Sequence, residues 1–167
     1  MSNTKKAARR KRLLGRQRPS LPYQLKIEDD TAAVAELAAA KDAVDTARFR
    51  DDDRAEQAVV EAEARLETAR EAVAACYETI PLTAMEPKAF EALAAQPEHA
   101  PREGKDERWN ATTFPRAVFL ECAPDDLSRE EWETFVDERL AQGEREALFL
   151  AAVGINARWP SGSIPNV

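Results

Sequence analysis

The sequence has few of the residues that most often carry chemistry. It contains one histidine, His99, and two cysteines, Cys76 and Cys122, which are far apart and form no CxxC motif. A single histidine excludes most His-dependent catalysis and His-rich metal sites, and these cysteines predict neither a disulfide framework nor a zinc site. A glycine-rich phosphate loop is also absent from the sequence. We therefore expect a protein that is not an enzyme and that needs no cofactor or metal.

Glycine and long apolar runs are scarce as well. Five glycines in 167 residues are too few for the many tight turns of a β-sandwich or barrel. No run approaches ~18 uninterrupted apolar residues, so no transmembrane helix is predicted, and the basic residues 5–18 lack the apolar segment that a secretory signal needs. The hydrophobic share is 44%, but much of it is alanine, which favours helix formation without adding buried volume. A mainly α-helical protein is the expectation.

Charge is divided unevenly along the chain. Residues 1–18 hold eight of the 24 basic residues and no acidic residue, which leaves 16 basic against 31 acidic residues in 19–167. The local charges are therefore +8 and −15, in a chain whose net charge is −7. We expect residues 1–20 to form a basic disordered tail attached to an acidic body.

A phosphate-binding arm is the alternative interpretation of this tail, because each Lys or Arg that meets a phosphate releases counterions. The residues that would carry it are Arg9, Arg10, Lys11 and Arg12. The first 18 residues include no aromatic residue, which argues against single-strand recognition by base stacking. Nucleic acid is therefore the less favoured partner, and no membrane partner is expected.

Residues 21–84 have the pattern of a helical hairpin flanked by two short strands. Apolar and polar residues alternate in 23–27, which predicts the first strand, and 77–82 predicts the second, with Pro81 at an edge or at the strand's end. Antiparallel pairing of the two strands would lock the base of the hairpin.

The two helices of this hairpin are predicted over about 31–49 and 54–76, after the cap-type residues Asp29, Asp30 and Thr31. Apolar residues recur in each helix at alternating spacings of three and four, with one small and one larger residue per repeat. They are Ala33, Leu37, Ala40, Val44 and Ala47 in the first helix, and Ala55, Val59, Ala62, Leu66, Ala69, Val73 and Cys76 in the second. The short connection favours an intramolecular antiparallel hairpin, and an intermolecular coiled coil, hence a homo-oligomer, is the alternative.

Residues 85–157 predict a compact helical subdomain that holds most of the aromatic residues and the core. A helix begins with Pro87 in its first turn, and Thr113 caps an apolar helix that runs to Cys122. An extended C-terminal tail is expected over 158–167.

The last two helices of the subdomain have clear boundary signals. Ser128 and Glu131 form a capping box, and the helix that they open is predicted to end at Gly143. A final helix is predicted over 144–156.

Several residues resemble parts of chemical sites without completing one. The acidic turn 51–53 lacks the spacing of a calcium loop, and Cys122, on an apolar face, is predicted to be a buried small hydrophobe. His99, flanked by a glutamate and prolines, is expected to be a solvated loop residue. Trp109 lies in the polar segment 101–115, which is either a binding loop or lid, or a loop whose tryptophan plugs the helical core.

Three short motifs accompany this order of elements: Asn110 followed by Phe114-Pro115, Leu127-Ser128 leading to Trp132, and Leu148-Phe149 leading to Asn156. Together with the layout of strands and helices, they resemble the tail assembly chaperones of long-tailed phages that infect actinobacteria. The resemblance covers most of residues 20–156.

The resemblance implies a non-enzymatic protein of the host bacterial cytoplasm. Such a protein binds the long helical tape measure protein and keeps it soluble while the tail tube polymerises, and the tail tube protein is a further candidate partner. A small acidic protein could cover the client's apolar helix faces with an amphipathic groove. The candidate anchors are Trp109, Trp132, Phe135, Leu148, Phe149 and Trp159. The alternative for Trp132, Phe135, Leu148 and Phe149 is packing of the last two helices on each other, and Trp159, after the last helix, is the best candidate for an exposed anchor.

Two other functions compete with this one. A nucleic-acid-associated packaging or head-completion protein would use the basic N-terminal arm. A structural virion protein would remain in the finished particle.

Overall fold

The protein is mainly α-helical with a small two-stranded sheet, as predicted, within residues 3–157, the part that the computed structural model describes. The helices are α1 (Asn3–Leu14), α2 (Thr31–Arg48), α3 (Ala55–Ala75), α4 (Pro87–Ala94), α5 (Phe114–Cys122), α6 (Arg129–Glu138) and α7 (Gln142–Asn156), and the strands are β1 (Ser20–Lys26) and β2 (Tyr77–Thr83). The tail predicted over 158–167, with Trp159, lies outside the described residues. Among those described, no helix has both the length and the apolar character to cross a bilayer.

Strands β1 and β2 pair with each other in antiparallel register. The N–H of Ala84 donates to the carbonyl of Pro19 at one end (2.8 Å), and the N–H of Ile27 donates to the carbonyl of Cys76 at the other (2.9 Å). The strand pair is therefore confirmed, and it extends beyond the alternating segments because pairing continues to Pro19.

Contacts divide the chain into two units whose border lies within both strands. Gln24–Ile80 form one, which we call the hairpin unit, and Met1–Tyr23 with Pro81–Val167 form the other, which we call the main unit. This border lies within a few residues of the predicted boundaries at 21 and 84.

The hairpin unit consists of α2 packed against α3. Every residue of the predicted seam is buried or half-buried, and Val44, Ala47 and Ala62 form a buried cluster against which Val59 and Leu66 pack. Small residues on both faces let helix axes approach closely. The intramolecular hairpin is therefore confirmed.

Two acidic residues connect the start of α2 to the strands. The backbone N–H of Thr31 donates to the Asp29 carboxylate (3.1 Å), while Asp30, at the cap position, binds the Tyr77 hydroxyl (2.5 Å) and the Lys26 ammonium (3.1 Å) instead. The Tyr77 hydrogen bond, followed by that from Lys26, holds the pKa of Asp30 below its usual value. The predicted cap thus acts partly as a tie between α2 and both strands.

The core of the main unit forms around α5, which contacts α4, α6 and α7. The ring of Phe119 lies 5.6 Å from that of Trp132 and 5.5 Å from that of Phe149, centroid to centroid. Its other large, fully buried side chains are Leu82, Phe114, Val118, Cys122, Val136 and Leu148. The predicted location of the core is therefore confirmed.

Asn156 joins the end of α7 to the rest of this core. Its side-chain oxygen accepts from the N–H of Met85 (2.7 Å), and its amide nitrogen contacts the Cys122 sulfur (3.1 Å). Burial raises the pKa of the Cys122 thiol, so that side chain is a neutral buried hydrophobe, as predicted.

Two predictions about helix positions are wrong: the absence of a helix in the N-terminal tail and the end of α6 at Gly143. The segment expected to be a disordered tail contains α1, because it has no glycine or proline between Asn3 and Leu14 and is rich in helix-forming Ala, Leu, Lys and Arg. Gly143 does not end α6, which stops at Glu138, but lies in the first turn of α7. The carboxylate of Glu144 accepts from the N–H of Ala141 (2.9 Å), which starts α7 before the glycine.

The prediction of a solvated His99 is also wrong. The side chain is buried, with its Nδ1 3.0 Å from the Thr113 hydroxyl and its ring edge-on to Phe114. That hydroxyl donates to the carbonyl of Glu98 (2.8 Å), so Thr113 occupies the cap position of α5 without using its side chain as the cap. The capping box of Ser128 and Glu131, in contrast, forms as predicted.

Candidate partner-binding groove

A surface groove of about 480 Å³ lies in the main unit, and we call it the α5–α7 groove. Its apolar lining comes from Pro115 and from Phe149 and Leu150, which are neighbours on α7. Leu150 is 64% exposed, whereas Phe149 is 8% exposed and contributes little surface to the groove. The remaining lining residues are Ala111, Thr112, Arg116, Asp137, Arg145 and Glu146.

An ion-pair network ties three helices together along this groove. Asp137 of α6 accepts from the Arg116 guanidinium of α5 (2.7 Å) and lies 3.7 Å from that of Arg145 on α7. The Nε of Arg116 is buried and has no hydrogen-bond partner among the described residues. An unpaired buried donor costs free energy, so this atom is a weak point of the network.

The rim at Ala111 is held by a clamp within the loop that precedes α5. The Asp106 side chain is 1% exposed and accepts from the Arg102 guanidinium (2.7 Å) and backbone N–H (2.9 Å). It also accepts from the N–H of Ala111 (3.2 Å). The Arg102 side chain, followed by these backbone groups, holds the pKa of Asp106 well below its usual range.

Removing this clamp is expected to open the loop. In Asp106→Ala, trypsin should cleave after Arg102, Lys105 and Arg108 faster than in the wild type, because the backbone N–H groups lose their acceptor. Glu107→Ala, which removes an exposed acid next to the clamp, is the control and should be cleaved at the wild-type rate. Equal rates in all three proteins would contradict the clamp.

The lowered pKa of Asp106 determines how the stability of this loop depends on pH. An unfolded aspartate has a pKa of about 3.9, so the stabilisation by Asp106 is complete above that value and is lost as the pH falls through the lower pKa of the folded protein. The Ala111 amide should therefore stay protected from hydrogen exchange from neutral pH down to about pH 5, because the loop stays closed over this range.

The structure does not bring the predicted anchors to one surface. Trp132 and Leu148 are core residues, exposed by 6% and 0%, so of their two interpretations the geometry supports packing within the helical core. Phe149 contributes little surface to the α5–α7 groove, and Phe135 lines a separate shallow depression beside α6. Trp159 lies outside the described residues.

Trp109 acts as a plug in this structure. Its ring is half-buried and lies 4.8 Å from that of Phe114 and 6.3 Å from that of Phe90, centroid to centroid. Of its two interpretations, the geometry supports packing on the helical core.

Sequence reasoning missed most of the groove. Leu150 follows two core residues of α7 and breaks their helical spacing, so its off-face position was a usable signal of exposure. Arg116, Asp137 and Arg145 come from three helices, and no spacing in the sequence indicates that they meet. Within residues 3–157, no group of three or more His, Cys, Asp or Glu side chains is arranged to hold a metal ion.

Comparisons with family models, with curated proteins and with solved structures give no match for this chain.

Proposed function

We propose that the chain is a phage tail assembly chaperone that binds the tape measure protein without catalysis and keeps it soluble while the tail tube polymerises. The sequence resemblance suggests the client, and the α5–α7 groove supplies a surface for it. Its volume of about 480 Å³ falls within the range of about 300–1,000 Å³ that is usual for binding clefts. The observation that carries the proposal is an exposed Leu150 beside an ion-pair network.

This groove has the chemistry that an amphipathic client helix needs. The exposed Leu150 contacts the client's apolar face, which would otherwise self-associate. The guanidinium of Arg116, part of whose side chain reaches solvent, donates to a carbonyl or carboxylate oxygen on the client's polar edge. The charge of −15 on residues 19–167 keeps the complexes apart by repulsion.

Co-expression with the tape measure protein tests the proposal. The wild-type chain should move this client into the soluble fraction. Leu150→Asp should return it to the insoluble fraction and weaken binding of a client segment by about tenfold or more, because a carboxylate replaces the exposed apolar contact. The measurement is the soluble fraction by sedimentation, together with titration of the client segment.

Val60→Asp is the matched control, because Val60 is 66% exposed and lies on α3 of the hairpin unit. This variant should keep full activity. A client that stays insoluble with the wild-type chain would refute the proposed chaperone function. An equal loss of client solubility in both variants would refute the α5–α7 groove as the binding site.

Mass spectrometry of purified virions separates the chaperone from a structural virion protein. A chaperone leaves before the particle matures, so the chain should be far below stoichiometric amounts. Its presence at a stoichiometric level would favour the structural role.

A further inference from the structure

Helix α1 is a basic helix without a partner in the described structure. Its 12 residues include six cations and no acid: Lys5, Lys6, Arg9, Arg10, Lys11 and Arg12. Every residue from 4 to 18 is exposed, and none of these six cations forms an ion pair within residues 3–157. The helix thus presents positive charge to solvent in a chain that is acidic elsewhere.

We propose that α1 is an arm that binds the phosphate backbone of duplex nucleic acid without reading its sequence. At 3.6 residues per turn, five of the six cations fall within an arc of about 160°. Lys5 and Arg9 are about one turn apart, as are Lys6 and Arg10, so the members of each pair lie about 6 Å apart along this face. A linear polyanion can contact such a face at several phosphates at once.

Neutralisation by phosphates also stabilises the helix itself. Like charges four residues apart, such as Lys5 with Arg9 and Lys6 with Arg10, disfavour a helix. A helix of 12 residues whose residues 4–14 are all exposed has little other support in water. Binding to a polyanion removes this repulsion, which couples the formation of α1 to its occupancy.

The composition of the arm favours a duplex over the other anionic surfaces. A protein partner requires an apolar centre in the interface, but α1 offers only Leu13 and Leu14, both at its last turn. A membrane-bound helix separates a continuous apolar face from its cations, and α1 has no such face. A single strand would need aromatic residues for stacking, and the first 18 residues contain none.

The test is a titration of labelled short duplex DNA with the full chain, followed by fluorescence anisotropy between about 50 and 200 mM salt. The wild type should bind with an affinity that falls steeply with salt. The variant with Arg9, Arg10, Lys11 and Arg12 all changed to Gln should bind at least about tenfold more weakly, and the slope of log K against log salt should be smaller by about 3–4 units.

The control removes the same number and type of cations elsewhere. Lys41, Arg54, Arg108 and Arg139 are exposed and form no ion pair within the described residues. Their joint change to Gln gives the same net charge as the arm variant and should leave the salt slope within about one unit of the wild type.

Three results would overturn the proposal. They are a lack of salt-dependent duplex binding by the wild type, an equal loss in the control variant, and tighter binding to phosphatidylserine vesicles or polyglutamate than to the duplex. Because α1 is exposed throughout, the arm variant should keep the thermal midpoint of the wild type and should still solubilise the tape measure protein.

Discussion

Leu148→Ala is expected to destabilise the main unit by about 2–5 kcal/mol, the usual cost of emptying a fully buried leucine site. Leu148 is 0% exposed on α7 and lies among the largest buried side chains of this core. Its helix α7 packs against α5, and a close-packed core limits how far the emptied site can collapse. A loss of this size is a large part of the total stability of a domain.

Tryptophan fluorescence in a denaturant titration measures this effect selectively. Trp109 and Trp132 belong to the main unit, and the hairpin unit Gln24–Ile80 contains no tryptophan. The unfolding transition of Leu148→Ala should therefore move to a lower denaturant concentration, and unfolding of the hairpin unit should not contribute to the tryptophan signal.

Leu150→Ala is the matched control, since it removes the same atoms from the same helix at a site that is 64% exposed. We expect a change within about 0.5 kcal/mol. If both leucines cost the same, then Leu148 is not the core residue that the structure describes, and its predicted role as a partner anchor would regain support.

Ala62→Leu is expected to destabilise the hairpin unit by about 1–3 kcal/mol, because it forces extra volume into a seam that small residues keep narrow. Ala62 faces Val44 and Ala47 in a buried cluster. The larger side chain cannot fit unless the axes of α2 and α3 move apart. Far-UV circular dichroism during thermal unfolding measures the change, since this unit is mostly helix.

Ala64→Leu makes the same substitution two residues later, at an exposed site of α3. Leucine and alanine are both good helix formers, so this variant should unfold within about 0.5 kcal/mol of the wild type. Should Ala62→Leu prove equally harmless, the close packing of the two helices would be refuted.

The two proposed surfaces are independent of each other and can be tested separately. The groove depends on Leu150 and on the ion pairs around Asp137, whereas the arm depends on the cations of α1. A variant of one surface leaves the residues of the other in place, so client binding and duplex binding each have their own test.

Local signals in the sequence were enough for much of the fold. The spacing of Ala62, Leu66 and Ala69 indicated which side of α3 is covered, and the pair Ser128–Glu131 marked the start of α6. These signals work because the helical repeat and a capping box involve residues only three or four positions apart.

Local composition was misleading at two residues, once because of a tertiary contact and once because of a neighbouring cap. His99 lies among charged residues and prolines, and only its contacts with Thr113 and Phe114 make it a buried residue. Glycine is typical of a helix end, but Gly143 lies inside α7, because the Glu144 carboxylate accepts from the N–H of Ala141 and caps the helix before the glycine. In both cases a tertiary or capping contact outweighs the local preference.

By itself, the sequence determined the mainly helical class, the seam of the hairpin, the pairing of two strands and the concentration of the core after residue 85, because each follows from the periodicity or composition of neighbouring residues. Only the tertiary structure decided which apolar residues remain exposed. It buried Trp132 and Leu148, left Leu150 in a groove and brought Arg116, Asp137 and Arg145 together from three helices. The physical reason is that exposure depends on what packs against a face, and that partner lies at no fixed distance along the chain.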